Sequence, residues 1–314
     1  MKKINVIAYS AGIPAKNKNP EKPLILQNFI QGVNAVGDYG LLHDGMHLPS
    51  EVALLQGWVH QDSPNAPHLL VRKKVIDAQL KAGRSVITAD SSLFLYKDTT
   101  NPHHYLRYSY NDVFPQTGNY CDNNPHPRRW ENISKTIGIK PKPWRTHGNH
   151  ILLCMQRNGG WSMQGLNNQQ WVLDTVSELR KHTDRPIVVR THPGDGKARF
   201  YLNPNNKEYM LQDISKDVSF SMDERSFIQD LSKAHAVVVH NSSPAVGAAI
   251  EGIPVFLTDP ASSQAREVAN TDLSKIESPD MFDRDPWLHR ISMFHWNFDE
   301  LKSGEAWRHM KQYV

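Results

Sequence analysis

The sequence predicts an α/β protein that is built from two parallel-sheet domains. Short β-branched runs, such as residues 186–190 and 236–240, alternate with stretches whose apolar residues recur at helical spacing. Both runs end in polar and small residues, which is typical of buried parallel strands that deliver side chains to the carboxyl edge of a sheet. A chain of 314 residues with 39% hydrophobic content suits two medium domains better than one.

The first half of the chain begins with a strand and a turn that could approach a ligand. The apolar run at residues 4–9 leads into the small residues 10–12, where backbone N–H groups can come close to a bound group. The clearest strand of this half lies at residues 84–90 and delivers Asp90 to its carboxyl end. Between them we predict a helix over 24–36 that ends near Gly37, a strand or loop over 40–59 and a helix over 69–82.

Two segments without clear periodicity mark the domain organisation. Residues 91–127 are polar and aromatic and longer than a usual connection, so we expect them to shape an acceptor site. Residues 140–148 are Pro-rich and basic, which suits a stiff linker. We therefore predict a first domain at 1–143 and a second at 149–284, with two helices in the apolar and Trp-rich tail 285–314.

The second half shows a regular alternation of strands and helices, which is typical of βαβ units. The predicted elements are strands over 150–155, 186–190, 236–240 and 254–257 and helices over 168–182, 224–234 and 245–251. Open α/β sheets bind ligands outside the carboxyl ends of their strands, so residues that follow these strands are the first candidates for a site.

Composition and charge exclude few partners. The formal charge of +4 and the estimated pI of 8.9 allow a polyanionic partner without requiring one. Of the two cysteines, Cys121 and Cys154, the latter lies in an apolar run and should be buried, which suits a reducing compartment. Neither a secretory signal nor a membrane-spanning stretch is evident, so we expect a cytoplasmic protein without a membrane partner. Nothing indicates the oligomeric state.

Residues 241–255 carry the strongest chemical signal. Asn241, Ser242 and Ser243 stand directly before a predicted helix, where N–H groups of the first turn could bind a phosphate. Small residues in that turn would allow close approach, and Glu251 could accept hydrogen bonds from a ribose. The alternative is an ordinary helix cap on a tightly packed helix.

A glycine-bearing loop follows the first strand of the second domain. On this loop, Arg157 next to Gly160 could pair with a diphosphate, and Trp161 could stack on a base or close the cleft. The alternative is a solvated loop with Trp161 as a core anchor. Together with Arg190 and His192, Arg157 would stabilise the charge of a departing nucleoside diphosphate.

Two of these motifs resemble one known superfamily. Residues 241–255 resemble the carboxy-terminal half of GT-B nucleotide-sugar glycosyltransferases, and residues 190–194 (RTHPG) resemble the R-x-H-P strand end of the same superfamily. That superfamily includes capsule-polysaccharide transferases and sugar 2-epimerases. The resemblance implies two Rossmann-like domains that face a central cleft, with carboxy-terminal helices that cross back to the amino-terminal domain. It also implies a UDP-sugar as donor substrate, with no further cofactor required.

A reaction that inverts the anomeric centre needs a base, and Asp90 is the first candidate. A carboxylate at a strand end can take a proton from an acceptor hydroxyl. Residues 86–90 also resemble the strand that carries the base in phage DNA β-glucosyltransferase. Asp38, His43 and Asp44 are competing candidates, and the alternative for Asp90 is a helix or turn cap.

No metal site is predicted, although a divalent ion is compatible with the chemistry. The motif Asp283-Arg284-Asp285 matches the D-x-D pattern of metal-dependent transferases, but its place before a Trp-containing helix favours a cap. The pair His147 and His150 and the pair His103 and His104 lack further ligands at zinc-site spacing.

Basic residues with aromatic neighbours suggest an acceptor surface. Arg128 and Arg129 precede Trp130, and Trp144 lies in a second basic segment. Such residues could neutralise a nucleic-acid backbone and stack an extruded base, whereas scattered solvated charge is the alternative. The whole-chain pattern is similar to phage transferases that glycosylate hydroxymethylated pyrimidines, which implies Arg107, Arg128, Arg129 and Trp144 as acceptor-binding residues.

The prediction is thus a glycosyltransferase that moves a sugar from a UDP-sugar to a hydroxyl acceptor, with 5-hydroxymethylcytosine in DNA as the expected acceptor. A phage-encoded enzyme of this kind would act in the host cytoplasm. Three alternatives stay open: a carbohydrate acceptor as in the capsule transferases, a UDP-sugar 2-epimerase, and a non-catalytic nucleotide-sugar or nucleic-acid binding module. The sequence does not distinguish glucose from a pentose such as arabinose, or a retaining from an inverting outcome.

Overall fold

The chain divides into two compact units. A computed structural model describes residues 3–10, 22–59, 66–97, 101–112, 125–214 and 226–314. The first unit consists of Met1–Ser92, Thr100–Ile137 and Leu288–Val314, and the second of Leu93–Thr99 and Gly138–Trp287. The predicted linker therefore falls inside the second unit, and the short segment Leu93–Thr99 joins that unit although it lies early in the chain.

Strands and helices alternate through both units. In chain order they are β1 (Asn5–Tyr9), α1 (Lys22–Ala35), β2 (Tyr39–His43), β3 (Val52–Gln56), α2 (Pro67–Lys81), β4 (Ser85–Ser91), β5 (Leu106–Tyr110), α3 (Arg128–Ile137), β6 (His150–Cys154), α4 (Asn168–Arg180), β7 (Ile187–Arg190), α5 (Ala198–Tyr201), β8 (Met210–Gln212), α6 (Phe227–Leu231), β9 (Ala234–Val239), α7 (Pro244–Ile250), β10 (Val255–Leu257), α8 (Asp285–Ser292), β11 (His295–Trp296), α9 (Phe298–Lys302) and α10 (Glu305–Met310). Among the residues that the structure describes, no helix has the length and apolarity to cross a bilayer.

The first unit contains a six-stranded sheet in the order β11-β5-β4-β3-β1-β2. Strands β1 to β4 pair in parallel, whereas β5 pairs antiparallel with both β4 and β11. Strands β1 and β4 are largely buried apolar runs, which is why the sequence predicts them. Strand β5 lies inside the segment that we predicted as a loop, because its polar and aromatic sequence LRYSY carries no apolar run.

The carboxy-terminal tail completes the first unit. It forms a short strand and three helices, where two helices were predicted, and Leu288–Val314 belongs to the first unit. The buried Trp307 ring lies against Phe29 of α1, with ring centroids 5.9 Å apart. Gly32 of α1 permits close packing against α9, because a Cβ there would lie 1.9 Å from the Leu301 carbonyl oxygen.

Asp38 joins this tail to β1. Its carboxylate accepts hydrogen bonds from Ile4 N at 3.1 Å, Trp307 Nε1 at 2.7 Å and Lys311 Nζ at 3.0 Å. Burial alone raises the pKa of this carboxyl group, but the three donors outweigh burial and lower the pKa. These bonds commit both Asp38 oxygens to the fold and favour a structural role, and the role of Asp38 as a base stays a prediction.

Replacing Asp38 with Asn should lower the free energy of unfolding by about 1–3 kcal/mol, because Trp307 and Lys311 lose a charged acceptor. A depressed folded-state pKa stabilises the protein above the ordinary carboxyl value of 3.8, and this contribution is lost as the pH falls through the folded pKa. Denaturant unfolding at neutral pH and near pH 3 measures the effect. The difference between wild type and Asp38→Asn should shrink at low pH, and an equal difference at both pH values would contradict the charge contribution.

The second unit contains a five-stranded, all-parallel sheet in the order β10-β9-β6-β7-β8. Helix α4 contributes Trp171, Val172 and Leu179 to the core cluster beside this sheet. Cys154 at the end of β6 is buried, as predicted, while Cys121 lies outside the described residues. Strand β8 was not predicted, because its three residues are too short for a periodic signal.

The helix predicted over 224–234 is shorter in the structure. Helix α6 covers five residues and begins after Ser226, which forms a capping box with Gln229. The following strand β9 begins at Ala234 and is buried along its whole length. Residues 215–225 lie outside the described residues.

Candidate functional site

The carboxyl edge of the five-stranded sheet collects most of the residues predicted for a donor site. The loop after β6 carries Arg157, the loop after β7 carries His192, and the loop after β9 carries Asn241. Because β6 lies between β7 and β9, the three loops are neighbours at the edge where open α/β sheets bind ligands.

Arg157 is the exposed cation of this edge. Its side chain passes Gly194, where a Cβ would lie 3.9 Å from Arg157 Cδ. A tight turn holds its backbone, since Gly160 N donates to Arg157 O at 3.0 Å. Within the described ranges the guanidinium makes no hydrogen bond or ion pair, so it can bind an anion. The side chain of Trp161, predicted to stack on a base, lies outside what the structure describes.

His192 supplies a second hydrogen-bond donor. Gly194 N donates to His192 Nδ1 at 2.9 Å, so the neutral ring carries its proton on Nε2. Burial lowers the pKa of His192 below 6.5; the charge of Asp195 opposes this shift, while Arg157 and Arg190 add to it. The ring is therefore neutral at pH 7 and offers Nε2–H to a ligand.

Arg190 is paired with a buried carboxylate. Its Nε donates to Asp230 Oδ2 at 2.5 Å, and the Asp230 side chain is fully buried. The other carboxylate oxygen accepts from Gln212 Nε2 at 2.7 Å. A buried carboxylate thus balances the charge of Arg190, which favours a structural role, and neutralisation of a diphosphate by Arg190 stays a prediction.

Asn241 lies at the centre of a buried polar network. Its Oδ1 accepts a hydrogen bond from Gln156 Nε2, and its Nδ2 donates to Ser162 O at 3.1 Å and to Asp259 Oδ2 at 2.8 Å. Ser162 Oγ in turn donates to Gln156 Oε1 at 3.0 Å. The network connects the loops that follow β6, β9 and β10. The buried Asn241 side chain therefore fixes the positions of these loops.

The start of α7 differs from the predicted phosphate cradle. Pro244 has no N–H, and the N–H groups of Ala245 and Val246 donate to Ser242 O at 3.1 Å and to Ser243 O at 2.9 Å. This corrects the prediction that first-turn N–H groups bind a phosphate, because turn carbonyls already accept from them. Ser243 is exposed and makes no capping bond through its side chain, and the Ser242 hydroxyl is buried without a hydrogen-bond partner among the described residues. Both hydroxyls are therefore left for a ligand.

Gly247 of α7 makes room for an aromatic ring of the chain itself. A Cβ at this position would lie 2.6 Å from Tyr96 Cγ, so the ring packs directly on the glycine. Tyr96 belongs to the early segment Leu93–Thr99 that joins the second unit. The small residue that we expected to admit a ligand therefore admits Tyr96.

Glu251, at the end of α7, is surrounded by donors. Tyr96 OH donates to its Oε1 at 3.1 Å, Lys97 Nζ lies 3.0 Å from the same oxygen, and Lys142 Nζ contacts Oε2. Burial raises the pKa of Glu251, but the hydrogen bonds from Lys142 and Lys97 outweigh it and lower the pKa. This arrangement favours a structural role, and ribose binding by Glu251 stays a prediction.

Replacing Glu251 with Gln should lower the free energy of unfolding by about 1–3 kcal/mol and leave nucleotide affinity unchanged, because two lysines lose their charged partner. Tyr96→Phe removes one donor of the same cluster and should cost about 1 kcal/mol. Denaturant unfolding and nucleotide titration of both variants separate the two roles. Weaker nucleotide binding by Glu251→Gln at unchanged stability would instead support the ribose contact.

Asp90 lies in β4 opposite Arg107 of β5. Arg107 Nη2 donates to Asp90 Oδ2 at 3.0 Å, and Ser91 N donates to Asp90 Oδ1 at 2.7 Å. The Asp90 side chain keeps 29% of its surface exposed, so a hydroxyl group can reach it. Its role as a base stays a prediction, whereas Arg107, predicted to bind an acceptor, is paired with Asp90.

Asp44, the remaining carboxylate candidate, directly follows β2 and is exposed. Within the described ranges it makes no hydrogen bond or ion pair. Neighbouring His43 is held by its ring, since Nε2 lies 2.8 Å from Met46 O. Strand β2 is the edge strand of the first sheet, and β1 and β3 separate it from β4. Asp44 therefore occupies a different part of the sheet edge from Asp90.

Arg129 connects α3 to the tail of the first unit. Its Nη1 and Nη2 donate to the two Glu300 carboxylate oxygens at 3.0 and 3.1 Å, and its Nε donates to Ser292 O at 3.0 Å. The guanidinium also stacks on Trp296 at 3.5 Å from the ring centroid. These contacts favour a structural role for Arg129, whose binding of an acceptor stays a prediction, while its neighbour Arg128 is exposed.

Trp144 is held in the second unit. Its Nε1 donates to Phe282 O at 2.9 Å, and the Arg284 guanidinium lies 4.2 Å from the ring centroid. Arg284 thus lies against one face of the ring, and stacking of Trp144 on an acceptor base stays a prediction.

The side chains of Asp283 and Arg284 in the D-x-D motif bind backbone groups, and Asp283 caps a helix as predicted. Asp283 accepts from Asp285 N at 3.1 Å at the start of α8, and Arg284 donates to Ala249 O and Lys142 O at 2.7 and 2.6 Å. Among the described residues, no group of three or more His, Cys, Asp and Glu side chains could hold a metal ion.

Three carboxylates that support the donor edge were missed by sequence reasoning: Asp195, Asp230 and Asp259. The partners of Asp230 and Asp259 include Arg190 and Asn241, which are 40 and 18 residues away. No local pattern could therefore indicate them. Asp195 is different, because it directly follows the RTHPG motif.

Solved structures with a similar fold include two from Thermosulfurimonas dismutans. KpsC described as a beta Kdo 2,4 transferase matches with a TM-score of 0.54 and 12% identity over 95% of this chain and 93% of that chain. KpsC described as a beta Kdo 2,7 transferase matches with a TM-score of 0.50 and 15% identity over 93% of this chain and 92% of that chain. The chain has the GT-B fold. At these identities the similarity concerns the fold alone.

Other comparisons add little. A UDP-GlcNAc 2-epimerase from Methanocaldococcus jannaschii matches with a TM-score of 0.37 and 11% identity over 100% of both chains, which is too distant to support an argument. No protein-family profile and no curated protein sequence matches the chain.

Proposed function

We propose that this GT-B protein is a glycosyltransferase that binds the phosphate of a nucleotide-activated sugar at the carboxyl edge of its five-stranded sheet. The observation that carries the proposal is the pair Arg157 and His192. An exposed guanidinium without a partner in the described ranges lies beside an imidazole whose Nε2 carries a proton. These are the donors that a departing nucleotide phosphate requires.

In the proposed transfer, Arg157 and His192 bind the donor phosphate, and Asp90 is kept as the base that the sequence predicts. The acceptor hydroxyl oxygen attacks the anomeric carbon, and the bond between that carbon and the donor phosphate breaks. The nucleotide leaves with the electron pair, and Arg157 and His192 stabilise its growing negative charge. Asp90 takes the hydroxyl proton. A UDP-sugar is the donor that we propose from the sequence.

The state of the predicted DNA-binding residues favours a carbohydrate acceptor over DNA. Arg107 pairs with Asp90, Arg129 pairs with Glu300, and Arg284 covers Trp144. Arg128 alone among the four predicted residues is exposed. The two structures of similar fold are described as Kdo transferases, which makes activated Kdo a useful member of a donor panel.

The test is to incubate the protein with a panel of UDP-sugars and activated Kdo, each with oligosaccharide acceptors or with DNA that contains hydroxymethylcytosine. Mass spectrometry of oligosaccharides and of nucleosides from digested DNA detects the product, and parallel reactions with EDTA test for a divalent ion. We expect transfer to an oligosaccharide from at least one donor. A nucleoside mass shift would restore the DNA acceptor, and UDP-sugar interconversion without acceptor would indicate an epimerase. Donor binding without turnover would indicate a binding module.

A further inference from the structure

We propose that Asp195 is a positioning residue that, together with Tyr201, fixes Arg157 and His192 in their places on the donor edge. The inference rests on the proposed function, which assigns donor binding to this edge, and it identifies the residue that fixes the positions of the two loops.

Asp195 connects the loop that carries Arg157 to the loop that carries His192. Its Oδ2 accepts from Asn158 N at 3.0 Å, which fixes the backbone next to Arg157. Its own N–H donates to His192 O at 2.9 Å, which fixes the turn after β7. Since Asp195 is 6% exposed, these bonds are shielded from water, and one residue sets the separation of the two loops.

Helix α5 supports Asp195 from the other side. Tyr201 OH donates to Asp195 Oδ2 at 2.7 Å, and Lys197 N donates to Asp195 Oδ1 at 3.3 Å. Burial and then the hydrogen bond to Asp195 raise the pKa of Tyr201, so the phenol keeps its proton and stays a donor. Both Asp195 oxygens thus have donors from the chain, and the residue acts on a ligand through its neighbours.

Asp195 also balances charge around His192. The charged groups that act on the imidazole are Asp195 on its own loop, Arg157 on the loop after β6, and Arg190 at the end of β7. Among these three, Asp195 raises the pKa of His192 and the two arginines lower it. Removing the Asp195 charge should therefore lower the pKa of His192 further, an effect that a purely structural residue would not produce.

The test compares Asp195→Asn, which keeps the size and removes the charge, with Tyr201→Phe, which removes the supporting donor and keeps the charge. Asp174→Asn is the matched control, because Asp174 is exposed on α4 and accepts from Gln170 Nε2 at 2.7 Å. NMR titration of the full chain, with His192→Gln to identify the signal, measures the pKa of His192. Calorimetry measures the affinity for UDP and for CMP, because activated sugars in general are carried on a nucleoside diphosphate or a nucleoside monophosphate.

We expect Asp195→Asn to lower the pKa of His192 and to weaken nucleotide binding about tenfold, because both loops lose their common anchor. Tyr201→Phe should weaken binding less and leave the pKa of His192 near its wild-type value, and Asp174→Asn should change neither. An unchanged pKa or an unchanged affinity in Asp195→Asn overturns the proposal. If Asp195→Asn does not fold, wild-type affinity in Tyr201→Phe overturns it. If wild type binds neither nucleotide, the proposed function fails, and the pKa of His192 alone decides the role of Asp195.

Discussion

Asp90→Asn should lower kcat about 10²–10⁴-fold while nucleotide affinity stays at the wild-type value, because an amide cannot take the proton of the acceptor hydroxyl. The amide oxygen can still accept from Arg107, so the pairing of β4 with β5 should survive the change. Steady-state kinetics with the donor and acceptor found in the panel measure kcat, and calorimetry with the nucleotide product measures binding. Equal stability of the two proteins in denaturant confirms that the fold is intact.

Asp44→Asn is the matched control for this experiment. Asp44 is an exposed carboxylate at the end of a strand in the same sheet, and within the described ranges it has no intrachain partner. We expect its substitution to leave kcat near the wild-type value. Near-normal turnover of Asp90→Asn with loss of turnover in Asp44→Asn would place the base at β2 instead.

Arg157→Ala should lower kcat/KM about 10²–10³-fold with little effect on stability, because its exposed guanidinium contributes to the departing phosphate and not to the fold. Arg190→Ala should instead lower the stability of the protein. It leaves the fully buried Asp230 carboxylate without its cation and should lower the free energy of unfolding by about 3–5 kcal/mol. Two arginines at adjacent strand ends are thus expected to separate into a catalytic and a structural residue.

Kinetics and denaturant unfolding of both variants, with Arg157→Lys as a partial replacement, test this separation. The lysine keeps the charge but loses the planar fork, so it should recover part of the activity. Wild-type kcat/KM in Arg157→Ala would remove Arg157 from the mechanism. A stable Arg190→Ala protein would show that the ion pair with Asp230 contributes little.

The sequence predicts a strand well where both faces of the strand are buried, because such a strand consists of a continuous apolar run. Strands β4 and β9 lie in the sheet interiors and were predicted. Strand β2 is a mostly exposed edge strand and β8 has three residues, so neither carries such a run. Strand β5 pairs with its sequence neighbour β4, but its polar and aromatic sequence LRYSY carries no apolar run that would indicate a strand.

The candidate site, too, could be predicted only where a local sequence pattern indicates it. Arg157 and His192 could be predicted because each directly follows a strand, and sheet topology alone then brings them to one edge. The sequence predicts ligand roles for Arg190, Arg129 and Glu251 without indicating the groups that contact them in the fold. Their partners Asp230, Glu300 and Tyr96 are 40, 171 and 155 residues away. Contacts over such separations are a property of the folded chain.

The first unit is built from chain segments that are far apart in sequence, and this affects the order in which the two units can fold on the ribosome. Its core includes Trp307 and α9 against α1, so it is not complete until the last segment, Leu288–Val314, has been synthesised. The long segment Gly138–Trp287 of the second unit emerges earlier. The ribosome adds about 5–20 residues per second, so part of the apolar surface of the amino-terminal strands stays uncovered while the second unit is synthesised. A fragment cut at the predicted boundary of residue 143 would keep that surface exposed permanently.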